Sequence, residues 1–147
     1  MISSTEPQPP ATYLGVARSM YHGVDIMAQH KNADLASALA LVAAHTLECT
    51  LKAFLSRDGN DLQLTTRNLR HHIEELWNLA KSEGLPIDDI PQWASNLSDI
   101  HKSPYHLRYS PKNQGIVLPG PEPMATELKA LIELVGQEID NYRRSLE

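Results

Sequence analysis

Basic side chains concentrate in two stretches of the chain that contain no acidic residue. We call residues 62–73 island 1 and residues 100–121 island 2. Island 1 contains Arg67, Arg70, His71 and His72. Island 2 contains His101, Lys102, Tyr105, His106, Arg108, Tyr109 and Lys112. A phosphate is drawn to a local positive field, arginine can contact it through two hydrogen bonds, and a tyrosine ring offers a face on which a base can stack. The islands therefore predict a site for a phosphate-bearing anion.

The charge of the whole chain is negative, so the islands stand out against an acidic background. Thirteen Lys and Arg oppose 18 Asp and Glu, which gives a formal net charge of −5. The islands hold five of the Lys and Arg, so the rest of the chain carries eight positive against 18 negative charges. This pattern excludes a protein whose entire surface binds polyanions. Two other interpretations stay open: the islands are ordinary solvated surface, or Arg108 pairs internally with an acid such as Glu48.

A narrow polar stripe crosses the most apolar stretch of the chain and includes His45, Glu48 and Lys52. Glu48 and Lys52 are four residues apart, in the order that favours an ion pair on a helix. His45, Glu48 and Cys49 have the spacing of metal ligands, but no second cluster with obvious ligand geometry accompanies them. The stripe is therefore predicted to be structural, and no metal is predicted.

The common local motifs of enzymes are missing from the sequence. It contains no glycine-rich phosphate loop, no GxSxG and no HExxH, and no cofactor is predicted. Cys49 is the only cysteine, so it cannot form a disulfide within the chain, and a lone thiol fits a reducing compartment. Its apolar helical neighbours are expected to raise its pKa, which argues against a nucleophile.

No targeting or membrane segment is predicted. The first ten residues have neither a basic stretch nor an apolar one, and the longest apolar run, Ala38 to Ala44, is seven residues. A membrane-spanning helix needs about 20. We therefore expect a soluble, cytoplasmic protein with no membrane partner.

Hydrophobic periodicity predicts five helices in a single all-α bundle, because 147 residues fit one domain. The predicted helices run from Thr12 to Gln29, from Asn32 or Asp34 to Ser56, from Thr66 or Asn68 to Gly84, from near Asp89 to before Pro104, and from about Pro123 to the end. Residues 1–11, with three prolines, are predicted to form a disordered arm before a helical domain of residues 12–147. Residues 104–121, rich in Pro and Gly, predict a long loop before the last helix. No strand is predicted.

The apolar positions also predict which side chains face the core. On the third helix, His72 is expected to face inward and His71 to be exposed. The last helix is expected to bury a stripe along its whole length, formed by Met124, Leu128, Leu131, Val135, Ile139, Tyr142 and Leu146.

Three segments together resemble a HEPN domain, the nucleotide-binding family of higher eukaryotes and prokaryotes. They are HTLECTLKAFLSRDG from His45, RHHIEELWNLAKSEGL from Arg70, and LRYSP from Leu107. In that family a Glu and a Lys on one helix, a His that opens the next, and an Arg-Tyr dipeptide after the fourth recur in this order. The corresponding residues here are Glu48 and Lys52, His72, and Arg108 with Tyr109.

The resemblance implies an all-α bundle, usually a homodimer. Family members serve as metal-independent ribonucleases or as noncatalytic partners that bind RNA or a nucleotide, often in toxin–antitoxin or defence systems. Ribonucleolytic members carry an Arg, a polar residue and a His near the start of the last helix. This chain departs from that pattern at the start of its last helix. The same combination of Arg, polar residue and His occurs instead as Arg67, Asn68 and His72, on the predicted third helix. There His72 would take the proton of a ribose 2'-hydroxyl and Arg67 would stabilise the phosphate.

The sequence therefore predicts a HEPN-like homodimer that binds RNA or a nucleotide through the two islands. One alternative is the metal-independent ribonuclease with Arg67 and His72. The other is a noncatalytic interaction module, in which the apolar faces of the first and last helices dock a partner such as a nucleotidyltransferase.

Overall fold

The computed structural model of the protein describes residues 8–30, 32–102 and 118–147. Within these ranges it contains five α-helices. They are α1 (Ala11–Gln29), α2 (Ala36–Leu55), α3 (Ile73–Ser82), α4 (Gln92–His101) and α5 (Pro121–Ser145). Short 3-10 helices span Ala33–Leu35 and Leu62–Thr65. No strand occurs within these three ranges, so the predicted all-α bundle of five helices is confirmed.

Helix α2 lies at the centre of the bundle and packs against each of the other four helices. It is buried almost all round from Leu39 to its end. Asn32 caps the 3-10 turn that leads into it, since its side chain accepts a hydrogen bond of 2.9 Å from the Asp34 amide. A helix that is apolar on nearly every side must be covered on every side, and the four surrounding helices provide that cover.

The central position of α2 also explains its hydropathy. The segment Ala33–Leu55 is long and apolar enough to cross a membrane by length and composition alone. In the structure, 78% of its most apolar window is buried inside the bundle. This is the environment of a core helix, and it agrees with the predicted soluble protein.

The third helix begins later than the sequence predicts, at Ile73 and not at Thr66 or Asn68. The Thr66 carbonyl accepts hydrogen bonds from the amides of Leu69 and Arg70, so residues 66–72 form a tight turn. The Thr66 hydroxyl donates to the Gln63 carbonyl, a local bond that competes with helix formation. The basic residues of island 1 therefore lie on a turn that precedes a helix.

A hydrogen bond between the backbone at the start of α3 and a side chain of α4 joins these two helices. His72 provides no side-chain cap for this helix. The hydroxyl of buried Ser98, on α4, instead accepts a hydrogen bond of 3.1 Å from the Glu74 amide. This bond fixes α4 beside the beginning of α3 and so places the end of α4, His101, near the turn of island 1.

The remaining helix boundaries deviate by at most about four residues. Helix α1 begins at Ala11 after Pro10, and the Thr12 hydroxyl accepts a hydrogen bond from the Gln8 amide and donates one to the Gln8 carbonyl. Helix α4 begins at Gln92 after Pro91, and α5 begins at Pro121. The apolar stripe of α5 is buried from Met124 to Ile139, but Leu146 is 69% exposed, because the helix ends beyond the core.

Candidate functional site

A buried carboxylate on α2 is the centre of the candidate site. Glu48 is 3% exposed. Its Oε1 atom lies 2.8 Å from Nδ1 of His71 and 3.3 Å from Nε2 of His101. Its Oε2 atom lies 3.7 Å from Nδ1 of His45 and 3.7 Å from Nζ of Lys52. We call these five residues the Glu48 cluster, and it brings together three parts of the chain that are far apart in sequence.

The surrounding donors keep Glu48 ionised. Burial by itself raises the pKa of this carboxyl, because a charge is poorly solvated inside the protein. The hydrogen bond from His101, the positive charge of Lys52 and the hydrogen bond from His71 outweigh burial and lower the pKa to about 2. Glu48 therefore carries a negative charge throughout the physiological pH range.

Lys52 connects the stripe to island 1. The predicted pairing of Glu48 with Lys52 is confirmed, and the Lys52 ammonium also donates a hydrogen bond of 2.8 Å to the Arg70 carbonyl oxygen. Because Lys52 is buried, this bond holds the turn of residues 66–72 against α2. The next residue, His71, is thereby placed over Glu48.

His101 is the most deeply buried imidazole of the cluster, with 2% of its surface exposed. Its ring lies edge-on to that of His71, with 6.0 Å between the centroids. Nε2 faces Glu48, whereas Nδ1 is buried without a hydrogen-bond partner. A buried ring nitrogen without a partner is rare in stable folds and points to a group that does more than fill the core.

The predicted orientations of the two adjacent histidines are both wrong, because both side chains are half-buried. His71 contacts Glu48, although it was expected to be exposed, and its side chain is only 32% exposed. His72 was expected to face the core, but it is half-buried and ends the turn before α3. The reason is the later start of α3, which removes the helical geometry from which the orientations were predicted.

The other predicted binding residues divide into two groups. Arg67 and Arg70 are exposed on the turn of island 1, and Lys102 forms an ion pair of 3.7 Å with Asp99. The remaining predicted residues of island 2, and the long loop that carries them, lie outside the described residues; they are Tyr105, His106, Arg108, Tyr109 and Lys112. Residues 1–7 of the predicted arm lie outside them as well.

Two features of the structure were not predicted. In the sequence His101 stands among the basic residues of island 2, yet it follows Leu97 by four residues and therefore shares the buried face of α4. Arg57, just beyond α2, packs its guanidinium over Phe54, 4.2 Å from the ring centroid, and pairs with Glu83 at 3.3 Å. The spacing of Arg57 and Phe54 by three residues could have indicated the first contact.

Cys49 behaves as predicted. It is buried on α2, and burial, with the negative charge of Glu48, raises the pKa of its thiol to about 12. Its Sγ atom lies 3.7 Å from Nε2 of His45. A thiol with this pKa is not a nucleophile at neutral pH.

The geometry joins the two islands at one place. His71 belongs to island 1 and His101 to island 2, and both face the same oxygen of Glu48. An ionised carboxylate that orients two imidazoles can fix their tautomers and place them for proton transfer or for coordination of a cation.

Comparison of the chain with known proteins gave no match, whether to a family model, to a curated protein or to a solved structure.

Proposed function

We propose that the protein is a HEPN-like helical protein that binds RNA or a nucleotide through a basic surface built from both islands. The observation that supports this proposal is the convergence of His71 and His101 on the Oε1 atom of Glu48. Thirty residues separate these histidines in sequence, and the bundle brings the two side chains together. This convergence supports a binding surface in which island 1 lies next to the start of island 2.

The exposed charge beside the cluster favours an anion at this surface. The negative charge of Glu48 is opposed by the ammonium of Lys52, 3.7 Å away. Arg67 and Arg70, on the adjacent turn, are exposed and remain available to phosphate groups. Binding would therefore come mainly from phosphate contacts, which make the affinity fall as salt rises.

The test is binding of a fluorescein-labelled single-stranded RNA to the full chain, followed by fluorescence anisotropy over a range of salt concentrations. Each phosphate contact to a single strand contributes roughly 0.7 to the slope of log affinity against log salt. We expect the double substitution Arg67→Ala and Arg70→Ala to reduce that slope by about 1.4. Arg144→Ala, an exposed arginine outside both islands, is the matched control and should leave the slope unchanged.

Two results would overturn the proposal. One is RNA binding with no salt dependence, which would favour the interaction module that docks a protein such as a nucleotidyltransferase. The other is an equal slope for the double variant and the wild type.

A metal-independent ribonuclease is a second candidate, because exposed Arg67 and half-buried His72 lie on one turn that solvent reaches. If this assignment is right, His72→Ala abolishes cleavage of the same RNA in the presence of a chelator, and His22→Ala, an exposed histidine on α1, does not. Cleavage that survives His72→Ala would exclude the pair as the catalytic residues.

The resemblance to the HEPN family extends the proposal to a cytoplasmic homodimer in a toxin–antitoxin or defence system. Light scattering during size-exclusion chromatography measures the mass directly. A mass of 16.4 kDa at the concentrations used for RNA binding would show that the binding species is a monomer.

A further inference from the structure

We propose that His45, Glu48 and His101 form a binding site for a divalent transition-metal ion of the zinc type. One ligand atom from each of the three residues lies within 4.8 Å of the other two. Glu48 and His101 are buried, and His45 lies on the side of the cluster that solvent can reach. The cluster therefore has two buried ligands, Glu48 and His101, and one partly exposed ligand, His45.

The candidate ligand atoms lie close enough together to converge on one tetrahedral ion. Zinc binds histidine nitrogen and carboxylate oxygen at about 2.0–2.2 Å, so ligand atoms on a tetrahedron are separated by roughly 3.3–3.5 Å. Nε2 of His101 lies 3.3 Å from Oε1 of Glu48, and Nδ1 of His45 lies 3.7 Å from Oε2. These two contacts involve different oxygens of Glu48, and the three ligand atoms lie within 4.8 Å of one another, so an ion would draw the side chains closer together.

The donor set selects the class of ion. Two imidazoles and one carboxylate form the three-residue set common in zinc sites that leave a fourth position open. Mg²⁺ and Ca²⁺ prefer oxygen ligands throughout and are disfavoured by the imidazoles. His71, whose Nδ1 lies 2.8 Å from Oε1 of Glu48, is not one of these three ligands and would hydrogen-bond the carboxylate that holds the ion.

The placement of the ligands on helices makes the site preorganised. His45 and Glu48 lie three residues apart on α2, so they share a face of the helix. His101 is the last residue of α4, which the Ser98 contact holds beside α3. The Lys52 ammonium, 3.7 Å from Oε2, repels a cation, so we expect weaker binding than in a zinc site without a neighbouring positive charge.

The experiment is a titration of the chelator-treated full chain with Zn²⁺ in competition with a chromophoric chelator, followed by Co²⁺ binding measured through its visible absorption. We expect one ion per chain, a Co²⁺ spectrum typical of four-coordinate sites, and no competition from Mg²⁺. Loss of a group that merely orients a metal ligand costs 10–100-fold in affinity. His45→Ala and His101→Ala should therefore each weaken Zn²⁺ binding by at least about tenfold.

The histidine His22, exposed on α1, provides the matched control: His22→Ala should bind Zn²⁺ as tightly as the wild type. His45→Ala decides the outcome even if His101→Ala fails to fold, because the His45 side chain is 39% exposed and its loss is compatible with the fold. Circular dichroism checks folding. No stoichiometric binding by the folded wild type, or unchanged binding by His45→Ala, would overturn the site. The readout requires no RNA, so it is independent of the proposed RNA binding.

Discussion

Glu48 shows how a single residue depends on its neighbours for its charge. A carboxylate inside a helical bundle is normally costly, and the cost is offset only where donors surround it. Here His71 and His101 face one oxygen, and His45 and Lys52 face the other. These contacts lower the pKa from the ordinary 4.5 to about 2 despite burial.

This pKa predicts how the metal-free protein responds to acid. A carboxyl whose pKa is lower in the folded than in the unfolded state stabilises the fold above the unfolded value. The contribution of Glu48 is therefore fully present above about pH 4.5 and is lost as the pH falls towards 2. The shift corresponds to at most about 3 kcal/mol. We expect Glu48→Gln to lower the free energy of unfolding at pH 7 and to flatten its decline below pH 4.5.

Urea unfolding from pH 7 down to pH 3 measures this effect. Glu127→Gln, an exposed carboxylate on α5, is the control and should keep the wild-type pH profile. Parallel profiles for Glu48→Gln and the wild type would show that the folded state does not shift the pKa of Glu48.

The sequence predicted the side-chain contacts that lie within a single helix. The pair of Glu48 and Lys52 follows from a spacing of four residues, and it is present. The contact of His71 with Glu48 depends on the residue at which α3 begins, and an error of several residues there made the predicted orientations of His71 and His72 wrong. A contact between elements is therefore harder to predict than a contact within one.

The beginning of α3 depends on another helix for one of its hydrogen bonds. The first amides of a helix lack partners within it, and a side chain usually supplies them. In α3, Ser98 of the neighbouring helix accepts from the Glu74 amide. This acceptor could not be assigned from the sequence, since the helix was predicted to begin at Thr66 or Asn68.

We expect Ser98→Ala to destabilise the protein by about 1–2 kcal/mol, because it removes a cap at a buried position and leaves the Glu74 amide without its acceptor. Ser95→Ala, a half-buried serine on the same helix, is the control and should change the free energy of unfolding by less than about 0.5 kcal/mol. Thermal or urea unfolding gives both values. Equal losses for the two variants would mean that the interhelical bond contributes nothing.

At the scale of the whole molecule, the central helix determines stability. Helix α2 contacts α1, α3, α4 and α5, and its second half is buried almost completely. Backbone amides in such an element open to solvent only when the whole bundle unfolds. Helices at the edge of the bundle expose their backbone amides to solvent more readily, through local fluctuations.

We therefore predict that the amides of residues 43–55 exchange hydrogen more slowly than those of any other described segment. Hydrogen–deuterium exchange followed by mass spectrometry measures this directly. The slowest rate should correspond to the global free energy of unfolding from urea experiments. Slower exchange in α1 or α5 than in α2 would contradict the prediction.

The fold class was the easiest part to predict, because five apolar stripes with helical spacing leave few alternatives. The composition of α2, the most apolar stretch of the chain, is typical of the central position that it occupies. The convergence of His45, His71 and His101 on Glu48 did not follow, because it depends on how α3 and α4 pack against α2. Periodicity indicates which face of a helix is buried but not which neighbour covers it.

The Glu48 carboxylate needs side chains from α2, from the turn before α3 and from the end of α4 at the same time. An intermediate that had assembled α2 and α3 without α4 would lack the contact of His101 with this charge. Such a partly assembled state is less favourable than the native state by the loss of that contact. Glu48 has all of its partners only when α2, the turn before α3 and the end of α4 are in place. Docking of the last of these elements is therefore cooperative with the rest.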